Sequence, residues 1–322
     1  MTSETTIGTD ESTIMTFSPA DYRDRVLIAD GDYQLEAVLR GWPRGTATAE
    51  MSLSRPDIAT AVAGAFLDAG SDLLVTPTST ANLLARDVAL AGEQAGFEKF
   101  AELNRRWARL CRDAVSQSQA AKRWVLGAVG PPARLLLLRE IERGQVIEAY
   151  EQQIAALRDG GVDGIVCRGF TELDALVMAV EAAEAFGLPI IGCMAFDGGP
   201  SRTETTLGVT AMQAGAALEA AGAAAAGLDG GENPDGAAGV VSLLRKSCGL
   251  PLWAAVDAGQ PQLVEGRVEY PEEPAAFASR LAPLVSAGAS VVAGGRGVRA
   301  AHVAALSSER EKLSPRSGRT RK

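Results

Sequence analysis

The chain is poor in the residues that carry most recognisable site chemistry. Among 322 residues there are one histidine, four cysteines and 5% aromatics. Cys111, Cys167, Cys193 and Cys248 lie far apart and form no CxxC pair. A disulfide framework and a compact cysteine zinc site are therefore not expected, and a reducing cytosol fits. No apolar run reaches the roughly eighteen residues of a membrane span, so no transmembrane helix is expected. The opening MTSETTIGTDESTIM is polar and acidic and does not read as a signal peptide, so the expected location is the cytoplasm. Excess positive charge is also lacking. A formal net charge of -9 argues against a general nucleic-acid binder, which needs a basic surface to neutralise phosphates.

Alanine and glycine are abundant, and 47% hydrophobic residues suffice to bury the core of one large barrel or two small domains. Residues 1–15 and 309–322 read as tails. The second carries Arg310, Lys312, Arg316, Arg319, Arg321 and Lys322. It is either a solvated tail or an arm for an acidic partner or RNA. Between them, 16–308 is expected to be one domain.

Within that domain short apolar runs read as buried parallel strands at 26–29, 73–76, 124–129, 164–167, 190–196, 223–228, 252–256 and 291–294. Helical patterns separate them. Ser54 is expected to cap a helix opened by Pro56, with Ile58, Val62 and Phe66 on one face. Phe100, Leu103, Trp107, Leu110 and Ala114 form a second stripe. Thr171 and Asp174 resemble a capping box, and Pro283 suggests a kink in a helix opened by Pro274. DAGSDLLV, DGGVDGIV, AAGAAAAG and SAGASVVA each end a helix at glycine and enter an apolar strand, with AFGLPIIG and SCGLPLWA as variants. These repeated junctions and the eight strand runs point to an α/β fold of the single (β/α)8 TIM-barrel type, with a doubly wound sheet as the alternative.

Segments in consistent order along most of the chain carry a resemblance. They include VLIADG at 26–31, SRPDIATAVAGAFLDAGSDLLVTPTSTAN at 54–82, YEQQIAALRDGGVDGIV at 150–166, GLPIIGCMAFD at 187–197, GLDGGENPDG at 227–236 and GASVVAGGRGVRAAHVAAL at 288–306. In these the chain resembles the homocysteine S-methyltransferase family. The resemblance implies a (β/α)8 barrel and methyl transfer onto a thiol that zinc, held by three cysteines, keeps deprotonated.

The chain departs from that pattern where the family places its ligands. The cysteine of a GLNCG-like motif is Gly230, and the paired cysteines of GGCCGT are Gly295 and Arg296. Glycine has no ligating side chain, and arginine puts a fixed positive charge where a dication belongs. Zinc is therefore not expected, and no other cofactor is implied. Of DGAMGT, Asp30 and Gly31 remain but Asp32-Tyr33-Gln34-Leu35 follow; the acidic residue of ETF is Arg168, and the PNAG-like motif reads Val256-Asp257-Ala258-Gly259. His302 matches the histidine of a PEHI-like helix start, where capping or packing is the expected role.

Strand ends are where barrel enzymes carry their sites. There the sequence places Asp30, Arg168, Asp197, Asp229, Asp257 and Arg296. These could bind a small zwitterion or anion, or form ion pairs that hold the loops. Gly294 to Gly297 could cradle a phosphate or form a tight inherited turn. Cys167 and Cys193, on consecutive strands, could approach each other or be core residues. The expected function is a homocysteine S-methyltransferase-like barrel without its zinc-thiolate site, acting as a non-catalytic binding or assembly subunit, with a homo-oligomer or protein partner possible. The alternatives are an enzyme of altered, zinc-independent chemistry and residual thiol methyl transfer.

Overall fold

Serial βα units either leave two sheet edges open or close on themselves, and here they close. The computed structural model describes residues 17, 25–84, 97–118, 122–133, 141–231 and 233–313. Its strands are β1 (Leu27–Ile28), β2 (Leu73–Val75), β3 (Trp124–Val129), β4 (Gly164–Phe170), β5 (Ile190–Met194), β6 (Ala225–Asp229), β7 (Leu252–Val256), β8 (Gln262–Val264), β9 (Arg267–Glu269) and β10 (Ala289–Gly294). Eight of them pair in parallel in the order β1-β10-β7-β6-β5-β4-β3-β2. A parallel bridge between Ala29 and Leu73 then joins the first strand to the second, and the Asp30 N–H donates to the Leu73 carbonyl at 3.1 Å. This is a (β/α)8 barrel, with no edge left in the main sheet. No helix among the described residues is long and apolar enough to cross a membrane.

Strand alternation divides the core in two. Trp124, Trp253, Val166, Ile191 and Cys193 fill the barrel interior with small partners such as Ala29, Ala225, Ala255 and Ala293. Phe17 packs edge-on to Trp124, ring centres 5.7 Å apart. Ile165, Cys167, Met194, Leu228 and Val256 face outward into the helical layer. Cys167 and Cys193 therefore point to opposite faces of the sheet and form no joint site. The helical layer is built as the stripes require. α3 (Pro56–Asp68) buries Ile58, Val62 and Phe66, and α4 (Phe97–Gln117) buries Phe100, Leu103 and Trp107. Each large side chain so buried contributes roughly 1.5–3 kcal/mol. At the helix-to-strand junctions Gly70, Gly161, Gly187, Gly222 and Gly288 all have φ between 65° and 117°, a region that side chains with a Cβ avoid.

Four local expectations give way. Ser54 is the last residue of a short helix, α2 (Met51–Ser54), where its hydroxyl bonds the Glu50 carbonyl at 3.0 Å, and Arg55 is the N-cap of α3. α6 (Leu173–Glu184) is entered through Glu172, with no side-chain cap. Neither Ser54 nor Thr171 sits at the first extended residue before its helix, which is what capping requires. Pro283 makes no kink, because the chain has already broken at Ser279 and Arg280. The segment forms α9 (Pro274–Ala278) and α10 (Leu281–Ala287), and Pro283 falls in the first turn of α10, where its missing N–H has no intrahelical acceptor. Finally, α11 (Ala300–Lys312) runs on past 308, and Arg310 pairs with Asp72, so 309–312 are part of the barrel. The expected tail at 1–15 and the residues from 314 onward lie outside the described residues.

Candidate functional site

The loops at the C-terminal ends of the strands are knitted together by carboxylates that accept backbone N–H groups. Asp32, just beyond β1, caps α1 (Tyr33–Val38) through the Leu35 N–H at 3.0 Å. Its second oxygen accepts the Gly297 N–H at 3.0 Å. Glu36 accepts the Ala300 N–H at the start of α11 at 3.1 Å, and Asp257 accepts the Arg296 N–H at 2.7 Å. The donors that a phosphate would need in the loop after β10 are thus already engaged by the protein's own acids. Its glycines serve close packing: a Cβ at Gly297 would overlap the Tyr270 ring, and one at Gly294 would fall 2.7 Å from the Gly31 Cα. The tight-turn reading of this loop describes it.

Two guanidinium–carboxylate pairs stand at the mouth. Arg168, pointing inward from β4, sets Nε and Nη2 on Asp229 Oδ1 at 2.8 and 2.7 Å. Burial works against the Arg168 charge, yet Asp229 outweighs it and raises the pKa above the ordinary arginine value. Asp257 follows β7 and is 2% exposed, whereas the Arg296 side chain beside it is 61% exposed, with Nε 3.2 Å from Asp257 Oδ2. Burial pushes the Asp257 carboxyl up, and the Arg296 charge opposes the shift.

Asp30 belongs to a different environment. Alternation turns it away from the barrel axis, so that it is sealed beneath the mouth at 2% exposure. Its carboxylate accepts the Val75 N–H at 2.6 Å, and the Tyr33 hydroxyl also bonds it. Desolvation dominates and pushes the Asp30 pKa up to about 7. Tyr33 reaches Cys111 on its other side, at 4.0 Å. Burial, aided by the Asp30 charge, pushes that thiol up to about 12. Asp197, beyond β5, bears electrostatically on Arg296.

A cavity of about 1030 Å³ opens over the barrel. Of the six charged residues expected at the mouth, Arg168, Asp229, Asp257 and Arg296 line it, and Asp30 and Asp197 do not. Tyr33, Gln34, Thr48 and Thr76, none of them among those six, also line it. Gln34 and Thr48 are hydrogen-bonded to each other across fourteen positions of sequence. Two signals pointed to Tyr33 and Gln34: their place after the first strand, where the family carries DGAMGT, and Asp32 as an N-cap, which puts them in a first helical turn.

Gly230, Gly295 and Arg296, which the resemblance aligns with the family's cysteine positions, lie together around Asp257. A Cβ added at Gly230 would lie 3.0 Å from Asp257 Oδ1, and one added at Gly295 would overlap that same oxygen. A carboxylate and a guanidinium thus fill the space that thiolates would need, and the donor set does not suit zinc. Cys193 is a thiol of the barrel interior. Burial, with Asp229 nearby, drives its pKa far above the ordinary value. His302 caps α11 through Nδ1, which accepts the Arg299 N–H at 3.1 Å. Its Nε2 donates to the Glu272 carbonyl at 2.9 Å, and its ring stands edge-on to Phe277.

Residues 27–310 match the family model for homocysteine S-methyltransferase. Methionine synthase of Mycobacterium leprae is 27% identical over 78% of the chain, and that of Mycobacterium tuberculosis is 26% identical over a like share. The chain spans about a fifth (21%) of the length of these relatives. Among solved structures, the metallated homocysteine methyltransferase MmuM of Escherichia coli superposes with a TM-score of 0.73 at 18% identity, covering 89% of this chain and 96% of that one. At that identity the likeness speaks for the fold alone.

Proposed function

Because the chain belongs to the homocysteine S-methyltransferase family, we propose that it is a member whose barrel mouth binds a small zwitterionic or anionic molecule without zinc and without methyl transfer. The observation that carries this reading is the Asp257 carboxylate lying across the three family ligand positions, fastened there by the Arg296 N–H and guanidinium. What remains at the mouth is a binding surface rather than a Lewis acid. Arg296, largely exposed, would receive a ligand carboxylate. Asp229, which gives Oδ1 to Arg168, would receive a ligand ammonium group through its other oxygen.

Two measurements on the full chain test this. L-homocysteine, L-methionine and succinate are titrated calorimetrically, and thiol methylation is assayed with added zinc. Binding of an amino acid or dicarboxylate that weakens in Arg296→Ala, with no turnover, supports the proposal. Enzyme-like methylation of homocysteine with one tightly bound zinc per chain would sink it.

A second reading, an enzyme of altered chemistry, draws on one observation. Tyr33 lines the cavity while its hydroxyl rests on Asp30, whose pKa of about 7 suits proton transfer near neutrality. It predicts a turnover abolished by Tyr33→Phe in a chain that still folds.

A further inference from the structure

The hairpin between β7 and α9 lies outside the binding reading above, and its surface is unlike the rest of the molecule. β8 and β9 pair Gln262 with Glu269, Leu263 with Val268 and Val264 with Arg267, around a two-residue turn. Glu265 (φ 48°) and Gly266 (φ 75°) give that turn the primed geometry whose twist suits a hairpin. All six strand residues are exposed. Among the described residues seven large hydrophobic side chains are exposed, and three of them are here: Leu263 at 76%, Val268 at 59% and Val264 at 41%. Apolar side chains on an uncovered edge strand form a template for another strand unless charge, proline or a bulge blunts it.

We infer that β9 pairs with β9 of a second copy of this chain, antiparallel and centred on Val268. Three features specify this occupant and this register. First, Val264 and Arg267 flank the turn and exchange their own hydrogen bonds, so the N–H and C=O of Val268 point to the open edge. Centring on Val268 lets the two copies exchange that pair of bonds about a two-fold axis. Second, Arg267 of each copy then stands directly opposite Glu269 of the other, giving two opposite-charge pairs. The edge charges differ in sign and are two residues apart, so the edge complements itself instead of repelling itself. Third, Leu263 and Val268 share one face, so pairing yields a continuous row of Leu263, Val268, Val268 and Leu263 across a four-stranded sheet. The contact is isologous, as a closed dimer requires. A contact through one pair of short strands makes the dimer reversible and dependent on concentration.

Sedimentation of the full chain from low micromolar to near-millimolar concentration tests the inference. The weight-average mass is expected to rise towards twice the 33.4 kDa of the chain. Arg267→Glu or Glu269→Arg alone sets like charges opposite each other and weakens association by about tenfold. The double exchange Arg267→Glu with Glu269→Arg restores it, and Val268→Lys abolishes it. These side chains are exposed, so circular dichroism should stay unchanged. A mass that remains monomeric throughout, a dimer indifferent to Arg267→Glu, or a double exchange that fails to restore association overturns the pairing.

Discussion

Asp257 Oδ1 occupies the space into which a side chain at Gly295 would project. The same oxygen accepts the Arg296 N–H at 2.7 Å, so the glycine, the carboxylate and the start of the following loop form one packed unit. The Asp257 carboxylate ties the end of β7 to the loop that follows β10.

A cysteine placed at Gly295 is not expected to create a metal site by itself. Gly295→Cys displaces Asp257 and leaves the Arg296 N–H without its acceptor, a loss of about 1–3 kcal/mol in denaturant unfolding. Gly230→Cys, Gly295→Cys and Arg296→Cys together are expected to bind stoichiometric zinc only when Asp257→Ala is added. Elemental analysis decides this. Zinc in the triple variant alone would show that Asp257 does not block the position.

The Arg168–Asp229 pair is partly buried, with side chains 24% and 9% exposed. Arg168→Met strands the Asp229 carboxylate and is expected to cost about 2 kcal/mol, most of which Asp229→Asn in the same chain recovers. A double-mutant cycle measured by urea unfolding reads the coupling. Strictly additive losses would mean that the pair is not a unit.

Asp30 makes stability fall as pH rises. Folding lifts its pKa from 3.8 to about 7, so across that window the folded chain holds the proton that the unfolded chain has released. The folded state is therefore favoured at the acidic end, and that advantage is lost as pH climbs through about 7. The swing is on the order of a few kcal/mol. Asp30→Asn should remove it. Unfolding profiles of the two chains that run parallel between pH ~4 and ~7 would contradict this account.

His302 acts in the opposite direction. Burial lowers its pKa below 6.5, and the bond to the Glu272 carbonyl only partly offsets that. Below that value the unfolded histidine takes a proton that the folded one resists, so stability declines as pH falls through the folded pKa. His302→Ala is expected to cost about 1–2 kcal/mol near neutrality by removing the α11 cap, and to flatten this acid limb. Thermal unfolding from pH ~5 to ~8 checks both effects.

Much of the architecture could be read directly. The glycine junctions at Gly70, Gly161, Gly222 and Gly288 need positive φ whatever surrounds them, and the apolar runs at 124–129 and 252–256 are strands to the residue. The departures from the family's cysteine motifs at Gly230, Gly295 and Arg296 could be read too, through the resemblance. Helix starts were less legible, because Ser54 and Thr171 have capping chemistry but not the capping backbone. The hairpin at 262–269 went unnoticed, since its apolar residues face outward and resemble no buried strand.

The order of apolar runs and glycines determined the barrel, because local backbone preference and burial act on neighbours along the chain. Which charges would meet was settled only by closure. Asp30 and Asp257 both follow strands, yet strand alternation seals one under the mouth beside Tyr33 and sets the other in the cavity wall against Arg296. One residue of register decides which face a side chain takes, and it is the closed sheet, not the local sequence, that sets that register.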